Sequence, residues 1–368
     1  MKNYSASRLA SAVMLSILLL MSQGTSIASA DESASQLDPQ PKETKVAEGI
    51  YLFQSADHGD MGVEGNAIAI INADDVFVFD ANQTISDARA VIAAIRRITP
   101  KPVRYVANSH WHYDHWLGNA AYAEAFPGVE IIASEDARRI MENVVASYLS
   151  GIPATEEQEK KRLSDLLQAG KNRKGDPLTD ADRTRYENII KGNEEFMAES
   201  KAARPVFPTL TYNDRLTLFH GGREFRIMKF IGNTPGDTAL YLPNEKILIT
   251  GDLLVYPIQY AFNSRPRQWV ESLKALEQLD AKIIIPGHGE AQYDKKYLQL
   301  VVSAIEEVIR QVHESAMKGM TLEQTQKAVN IDSIRVQFTH DDSRRNEEFQ
   351  AYFLTPMVER AYKEATGE

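Results

Sequence analysis

The sequence predicts a layered α/β fold, because short apolar runs of strand length alternate along the chain with stretches of helical periodicity. Residues 86–98 repeat apolar side chains at helical spacing and stop before Pro100, and residues 103–107 then form an apolar run. The chain has 368 residues, of which 43% are hydrophobic and 25% are charged. This composition is that of an ordinary globular protein with a full hydrophobic core.

The remaining elements follow the same two patterns. Strands are predicted at residues 49–54, 67–71, 76–79, 129–133, 215–220, 224–231, 238–242, 246–250 and 282–285. Helices are predicted at residues 135–148, 268–279, 293–318, 321–329 and 346–364. We expect Pro356 to kink or restart the last helix, because proline lacks the N–H that an interior helical position donates.

The pattern changes at residues 154–201, which are predicted to form an inserted helical hairpin. Thr155 begins a capping-box pattern with leucines at helical spacing behind it, and Thr179 begins a second amphipathic stretch. Amphipathic helices usually pack against a core, so the simpler interpretation is a surface cover or an oligomer contact. The more specific interpretation is a lid over the functional site.

Residues 1–30 are predicted to be a secretory signal peptide. Lys2 and Arg8 form a basic start, residues 9–21 are apolar, and Ala-Ser-Ala at residues 28–30 is a small-residue cleavage site. The apolar run is shorter than the roughly 20 residues that span a bilayer, so no stable membrane anchor is expected. Residues 31–44 are polar, contain two prolines and are predicted to be a flexible lead-in. The mature protein is therefore expected to be periplasmic or secreted.

Charge and cysteine content exclude several classes of function. The net charge is −10, and loss of a signal peptide that carries two basic residues and no acid makes it about −12. Such a charge disfavours nucleic acid as a partner. The chain has no cysteine, which excludes disulfides and thiolate metal sites. A small-molecule substrate is the expected partner, and the sequence does not indicate an oligomeric state.

The most informative segment is His-Trp-His-Tyr-Asp-His at residues 110–115, directly after the strand at 103–107. An extended backbone sends His110, His112 and Asp114 to the same side, and the turn that follows lets His115 converge on them. Imidazole and carboxylate ligands select a borderline divalent ion, for which zinc is the default. Four such side chains at one strand end suit two metal ions better than one.

Three further blocks complete a known pattern: Gly-Asn-Thr-Pro-Gly at residues 232–236, Thr-Gly-Asp at 250–252 and Pro-Gly-His-Gly at 286–289. In residue type, order and spacing, the four blocks resemble the metallo-β-lactamase superfamily. The resemblance implies a four-layer αββα sandwich with the inserted helical hairpin and a C-terminal helical extension. It places the catalytic domain at residues 45–290 and the extension at residues 291–368.

The resemblance also implies the ligand set. One zinc ion is expected on His110, His112 and the residue at the histidine position of the Gly-His-Thr-Pro block, which here is Asn233. The second is expected on Asp114, His115 and His288, with Asp252 bridging both ions. A bridging aspartate in place of a cysteine is typical of the glyoxalase II-like and lactonase-like members.

Asn233 departs from the family pattern. A neutral amide oxygen is a poorer zinc ligand than imidazole, so the first site is expected to be weaker, open or filled by another ion. One or two zinc ions are therefore predicted, and Asp237 is an alternative ligand. A degraded, non-catalytic metal site is the corresponding alternative to an enzyme.

Several other residues are weighed individually. Asp80 ends a predicted strand and is expected either to accept a hydrogen bond from a ligand or its neighbours, or to cap a turn. Trp111 and Tyr256 lie beside ligands in the sequence and are predicted to line the substrate site, although core packing explains most aromatic residues. Four histidines are predicted to lie outside metal-like clusters: His58, His220, His313 and His340.

The resemblance implies that a metal-bound hydroxide attacks a carbonyl carbon, because metal binding lowers the pKa of water from about 15.7 towards about 7. Asp114 is expected to orient the nucleophile and relay a proton to the leaving group. The leading hypothesis is an exported zinc hydrolase of a small ester, lactone, thioester or amide. The alternatives are a β-lactamase and a metal-binding protein without turnover.

Overall fold

The structure, a computed structural model, describes residues 40–56, 58, 59, 63–172 and 175–367. The predicted signal peptide and most of the predicted lead-in lie outside the described residues. The strands are β1 Lys42–Ala47, β2 Ile50–Gln54, β3 Ala67–Ile71, β4 Val76–Phe79, β5 Val103–Ala107, β6 Glu130–Ser134, β7 Leu210–Tyr212, β8 Arg215–His220, β9 Arg223–Phe230, β10 Asp237–Leu242, β11 Ile247–Ile249 and β12 Ile283–Ile285. The helices are α1 Ile85–Ile98, α2 Asn119–Ala125, α3 Glu135–Ala169, α4 Asp180–Ala202, α5 Pro266–Glu277, α6 Lys296–Met317, α7 Leu322–Ala328, α8 Asp332–Thr339, α9 Ser343–Glu348 and α10 Thr355–Thr366.

The strands form two sheets. Strands β1 to β7 lie side by side in chain order in the first sheet, and the second has the order β12-β11-β10-β9-β8. Pairing in the first sheet is antiparallel up to β4 and parallel from β4 to β7. In the second sheet β11 and β12 are the parallel pair. Parallel neighbours end at the same edge, so the loops after β4 and β5, and those after β11 and β12, emerge together.

Side-chain alternation along the strands produces the sandwich. In β3, Ile68 and Ile70 face the second sheet, where they share a buried cluster with Phe225 of β9. Ala67 and Ala69, which point the opposite way, contact the helical layer of α1 and α2. The outer face of the second sheet is covered by α5, α6 and the C-terminal helices in a third cluster. The predicted four-layer αββα architecture with a C-terminal helical extension is confirmed.

The insertion differs from its prediction. α3 runs unbroken for 35 residues and passes through Pro153, so the predicted helix start at Thr155 is wrong. An interior proline removes one hydrogen bond and costs about 3 kcal/mol, and packing against α4 offsets this. Ile152 of α3 is buried against Phe196 and Met197 of α4. The predicted start at Thr179 is confirmed, since its side chain and that of Asp182 form a capping box.

Two smaller differences concern the ends of the described chain. β1 begins at Lys42, inside the segment predicted to be a flexible lead-in, because its residues pair with β2. At the other end, a π-helix at Phe349–Leu354 passes directly into α10 at Thr355, and both Leu354 and Thr355 have helical backbone angles. The helix therefore changes type just before Pro356 and does not restart there, and the predicted kink stays a prediction. Among the described residues no helix is both long and apolar enough to cross a membrane.

Candidate metal centre

Four of the predicted ligands follow β5 directly. The chain runs from Ala107 through His110 and His112 into a short 3-10 turn at Tyr113–His115. His110 and His115 are fully buried, whereas His112 is partly exposed. The turn returns His115 towards His110, and 4.4 Å separates their ring centroids. The hexapeptide therefore gathers its side chains at the carboxyl end of β5.

Asp252 and His288 reach the same place from the second sheet. Asp252 lies in a 3-10 turn at Gly251–Leu253, just after β11, and His288 follows β12. A Cβ atom on Gly287 would lie only 2.1 Å from Oδ1 of Asp252, so the close approach of these two loops requires glycine. Strand ends from both sheets thus converge on one centre.

The structure divides six of the predicted ligands into two groups, and within each group the potential ligand atoms lie within 4.8 Å of one another. The groups are His110, His112 and Asp252, and Asp114, His115 and His288. This division is the one that the resemblance implies. The assignment of the six residues as metal ligands stays a prediction.

The two carboxylate oxygens of Asp252 face different groups. Oδ2 lies 3.7 Å from Nε2 of His110. Oδ1 lies 3.4 Å from Nε2 of His115 and 3.5 Å from Nε2 of His288. A carboxylate in this position can give one oxygen to each of two ions.

The spacing and the unpartnered atoms both fit metal ions. Nε2 of His115 and Nε2 of His288 each lie 3.0 Å from Oδ2 of Asp114. Zinc bonds of about 2.0 to 2.1 Å in tetrahedral geometry place ligand atoms roughly 3.3 Å apart. Nε2 of His110 and Oδ1 of Asp252 are buried with no hydrogen-bond partner among the described residues. Because unpartnered buried polar atoms are costly, divalent ions are fitting partners for them.

Asn233 occupies the position where the family has histidine, and one of its two side-chain polar atoms has no hydrogen-bond partner among the described residues. Its Nδ2 donates to the carbonyl oxygen of Tyr260 at 2.9 Å, while its buried Oδ1 has no hydrogen-bond partner in the described part of the chain. Asp237 does not replace the missing histidine, because both the backbone N–H and the hydroxyl of Thr234 donate to its carboxylate. Burial raises the pKa of Asp237 to about 7.

Three of the candidate ligand histidines each have one ring nitrogen in contact with a neighbouring side chain. Nδ1 of His115 lies 2.8 Å from Oδ2 of Asp80, whose Oδ1 accepts the backbone N–H of Ser109. Nδ1 of His110 lies 2.9 Å from Oγ of Ser109. Nε2 of His112 lies 2.9 Å from Oδ1 of Asn263. Such contacts fix the tautomer and orientation of a metal-binding imidazole.

The charges at the centre compensate one another in the absence of ions. Burial opposes ionisation of Asp114, but His115 and His288 hold the pKa of Asp114 well below its usual range. Burial likewise opposes protonation of His115, yet Asp114 and Asp252 raise the pKa of His115 well above its usual value. Burial and the neighbouring histidines lower the pKa of His110 well below its usual value. Metal binding therefore competes with a proton at His115, whereas Asp114 and His110 are held in their metal-binding, unprotonated forms.

Of the aromatic residues near the candidate ligands, Tyr256 packs in the core, whereas Trp111 and Tyr260 lie beside the candidate ligands. The Trp111 ring lies 4.5 Å from the ring of His112. Tyr256 packs against Tyr297 in the core cluster, with 5.0 Å between centroids, and its predicted place along the substrate stays a prediction. Tyr260 lies beside the candidate ligands, because its ring centroid is 5.3 Å from that of His288.

A third group contains His58, Glu64 and Asp87, so the prediction that His58 lies outside any metal-like cluster is wrong. The group is built into the start of α1. Asp87 accepts from the hydroxyl of Thr84, the N-cap, and lies within hydrogen-bond distance of His58 Nε2. Glu64 accepts the backbone N–H groups of Gln83 and Thr84. These contacts stabilise the start of α1, so a structural role explains why the three side chains lie together.

Sequence reasoning missed Asn263 and Glu64, and neither belongs to a motif. Asn263 lies far along the chain from His112, the candidate ligand that it contacts. The available signal for Asn263 was its position shortly after the Thr-Gly-Asp block. Tyr260 shares that position, and the sequence favours core packing for such an aromatic residue.

Comparisons with known proteins agree with this geometry. Residues 61–288 match the family model of the metallo-beta-lactamase superfamily. Over 258 residues the chain is 24% identical to a linear primary-alkylsulfatase of a Pseudomonas species, a match that covers 67% of this chain and 45% of that protein. The chain thus spans less than half the length of this curated relative.

Two solved structures illustrate the likeness in fold. The inverting sec-alkylsulfatase Pisa1 from Pseudomonas sp. aligns with a TM-score of 0.61 at 17% identity, over 89% of this chain and 50% of that one. A metallo-β-lactamase from Pontibacter korlensis aligns with a TM-score of 0.51 at 17% identity, over 73% of this chain and 99% of that one. Because both identities are 17%, these two alignments show similarity in fold only.

Proposed function

Because the chain belongs to the metallo-β-lactamase superfamily of metallo-hydrolases, we propose that it uses one or two zinc ions to hydrolyse a small ester, lactone, thioester or amide. The observation that carries this proposal is the position of Asp252 between two ligand groups, with one oxygen towards His110 and the other towards His115 and His288. Zinc is proposed because the donor set contains only imidazole, carboxylate and amide groups.

The reaction adds the hydroxyl of water to the carbonyl carbon, breaks the bond to the leaving group and gives that group a proton. Divalent ions bound here would polarise the carbonyl oxygen and lower the pKa of water towards about 7. Asp114 is the proposed catalytic residue. Its Oδ2 is turned to His115 and His288, and its side chain is 17% exposed. Its other oxygen, Oδ1, is therefore the atom proposed to take the proton of water and pass it to the leaving group.

The surroundings of the centre favour a substrate with an apolar part. Aromatic rings flank the centre, with Trp111 beside His112 and Tyr260 beside His288. Apolar walls with a few placed polar groups are typical of small-molecule sites.

A second candidate, sulfate-ester hydrolysis, rests on a different observation. The relative matched over 258 residues is a linear primary-alkylsulfatase. An alkyl sulfate shares the apolar chain that the aromatic rings suit, but its anionic head would depend on the metal ions for charge compensation. The ester proposal therefore comes first, and alkyl sulfates belong among the test substrates.

A substrate panel on metal-loaded protein tests the proposal, with Asp252→Ala as the inactive control. The panel contains p-nitrophenyl acetate, a lactone, an acyl thioester, an anilide, nitrocefin and octyl sulfate. Metal-dependent turnover of the ester, lactone, thioester or anilide supports the proposal. Turnover of octyl sulfate alone supports the second candidate, and turnover of nitrocefin alone identifies a β-lactamase. Metal binding without any turnover leaves a non-catalytic metal-binding protein.

We also propose that the protein is exported, which rests on the signal-peptide pattern of residues 1–30. Expression of the full chain in a Gram-negative host, followed by fractionation and N-terminal sequencing, tests this. A periplasmic or secreted product that begins near Asp31 supports export. Soluble cytoplasmic protein that retains Met1 contradicts it.

A further inference from the structure

Three aromatic rings lead outwards from the candidate metal centre. The ring of Tyr260 lies 5.3 Å from that of His288 and 5.6 Å from that of Tyr352. Phe262 completes the group, with its ring 6.3 Å from that of Tyr260 and 6.0 Å from that of Tyr352. We call Tyr260, Phe262 and Tyr352 the aromatic path.

The outer end of the aromatic path is exposed to solvent. Phe262 is 49% exposed and Tyr352 is 40% exposed. Single exposed apolar residues are common on protein surfaces and need no explanation. Two neighbouring exposed rings that adjoin a third ring beside a candidate ligand form a continuous apolar surface instead. Such a surface is typical of ligand-binding sites.

The backbone holds these rings in place from two sides. The N–H of Ala261 donates to the carbonyl oxygen of Tyr352 at 2.9 Å, and Nε of Arg360 on α10 donates to the carbonyl oxygen of Ser264 at 2.9 Å. On the inner side, Oδ1 of Asn263 lies 2.9 Å from Nε2 of His112. The loop is thus tied both to the C-terminal helices and to a candidate ligand, which pre-organises the rings for binding.

Tyr352 belongs to the C-terminal extension, outside residues 61–288 that match the superfamily model. It lies on the π-helix at Phe349–Leu354, in which Phe349 and Phe353 are buried in the core cluster. A π-helix is rare and is frequent at functional sites. The extension therefore supplies a ring to the surroundings of the metal centre.

We propose that the aromatic path is a subsite for the apolar chain of the substrate, an alkyl or aryl group of several carbons on the acyl or the alcohol side of the bond that is cleaved. The occupant follows from continuity, because the path starts at His288 and consists of apolar rings to its exposed end. This inference rests on the proposed function for its substrate class. It adds that the C-terminal extension selects substrates by chain length.

A chain-length series tests the subsite. We expect kcat/KM for p-nitrophenyl acetate, butyrate and octanoate to rise by roughly two- to fourfold for each methylene buried on the path. Phe262→Ala and Tyr352→Ala should reduce this slope and lower kcat/KM for the octanoate ester by about tenfold or more, with the acetate ester changed by less than about twofold. A matching series of alkyl acetates shows whether the chain belongs to the alcohol side.

Two variants serve as controls. Tyr352→Phe keeps the ring and should behave like the wild type. Phe219→Ala removes a ring that is 76% exposed on β8, outside the path, and should leave the slope unchanged. An unchanged slope in Phe262→Ala and Tyr352→Ala, or an equal loss for acetate and octanoate, overturns the subsite. Melting temperatures of all variants show that each one is folded.

Binding of sodium octanoate and sodium acetate to metal-loaded protein, measured by calorimetry, separates the subsite from the proposed function. If no ester, lactone, thioester or anilide is hydrolysed but octanoate binds more tightly than acetate, and Phe262→Ala removes that preference, the proposed function fails and the subsite stands. If esters are hydrolysed but octanoate is not preferred and no chain-length slope is seen, the subsite fails alone. Absence of both hydrolysis and octanoate preference overturns both.

Discussion

Oδ2 of Asp80 lies 2.8 Å from Nδ1 of His115, and both side chains are almost fully buried. When Nε2 of His115 binds a metal ion, the ring proton lies on Nδ1, where Asp80 accepts it, and Nε2 faces Asp114 and Asp252. Asp80 directly follows β4 and has a φ of 63°. Aspartate and asparagine tolerate that left-handed conformation better than most residues.

Asp80→Asn should weaken the group of Asp114, His115 and His288. The backbone N–H of Ser109 keeps the amide oxygen in its present contact, so the new NH2 group donates to Nδ1 of His115 and moves the ring proton to Nε2. We expect zinc affinity at that group to fall by roughly 10- to 100-fold, as measured by calorimetry with a competing chelator. Asp75→Asn breaks a similar contact to His220 outside the centre, and should leave zinc affinity unchanged.

Asn233 is predicted to set the strength of the first site. We expect wild-type protein to bind between about one and two zinc ions, with the group of Asp114, His115 and His288 filled first, because an amide is a weaker ligand than imidazole. Asn233→His should tighten binding of the second ion, and Asn233→Ala should weaken it further. Two equally tight ions in the wild-type protein contradict this account of Asn233.

Asn263 should act as a positioning residue for His112. Asn263→Leu removes the acceptor of the His112 Nε2 contact at 2.9 Å, so zinc affinity at the first site should fall by about tenfold. Asn263→Asp keeps an acceptor oxygen and should retain the affinity. The measurement is a zinc titration that resolves the two sites. A uniform loss at both sites in Asn263→Leu indicates a general disturbance of the loop instead.

The contact between His58 and Asp87 predicts a pH-dependent contribution to stability. Hydrogen bonding to Asp87, against the opposing effect of burial, raises the pKa of His58 above its ordinary value. The stabilisation is therefore fully present below about pH 6.5, the pKa of an unfolded histidine, and is lost as pH rises through the folded pKa.

Denaturant unfolding of wild type and His58→Gln measures this contribution. The difference in free energy of unfolding should be larger at about pH 5.5 than at about pH 9. His313→Gln, at an exposed histidine of α6, provides the baseline. A difference that grows with pH contradicts the assignment.

The sequence predicts local patterns better than it predicts contacts across the chain. The predicted αββα sandwich is confirmed. Its signals, the alternation of strand and helix patterns and the resemblance of the four motif blocks, can be read along short segments of the sequence. The continuous helix through Pro153 was missed, because packing of Ile152 against α4 overrides a local rule. The group of His58, Glu64 and Asp87 was missed for the same reason, since its members meet only at the start of α1.

The residues of the candidate site show the same contrast between local patterns and contacts across the chain. Four of the six candidate ligands were predicted from the hexapeptide at residues 110–115, Asp252 and His288 were implied by the family resemblance, and the structure gathers all six at one centre. Tyr260, Asn263 and Tyr352 carry no motif, and only the loop after β11 and the π-helix bring them there. Residues that support a site from distant segments have no local signature in a single sequence.

The central claim is that Asp252 joins two ion sites, with Oδ2 towards His110 and Oδ1 towards His115 and His288. The most direct test is one preparation of Asp252→Ala, on which zinc stoichiometry, melting temperature and turnover of the best substrate are measured together. A bridging carboxylate predicts lower zinc content and a loss of turnover greater than the roughly 10- to 100-fold expected of a residue that only supports a ligand. Wild-type zinc content and turnover per folded molecule, with only a lower melting temperature, would contradict the account at its centre.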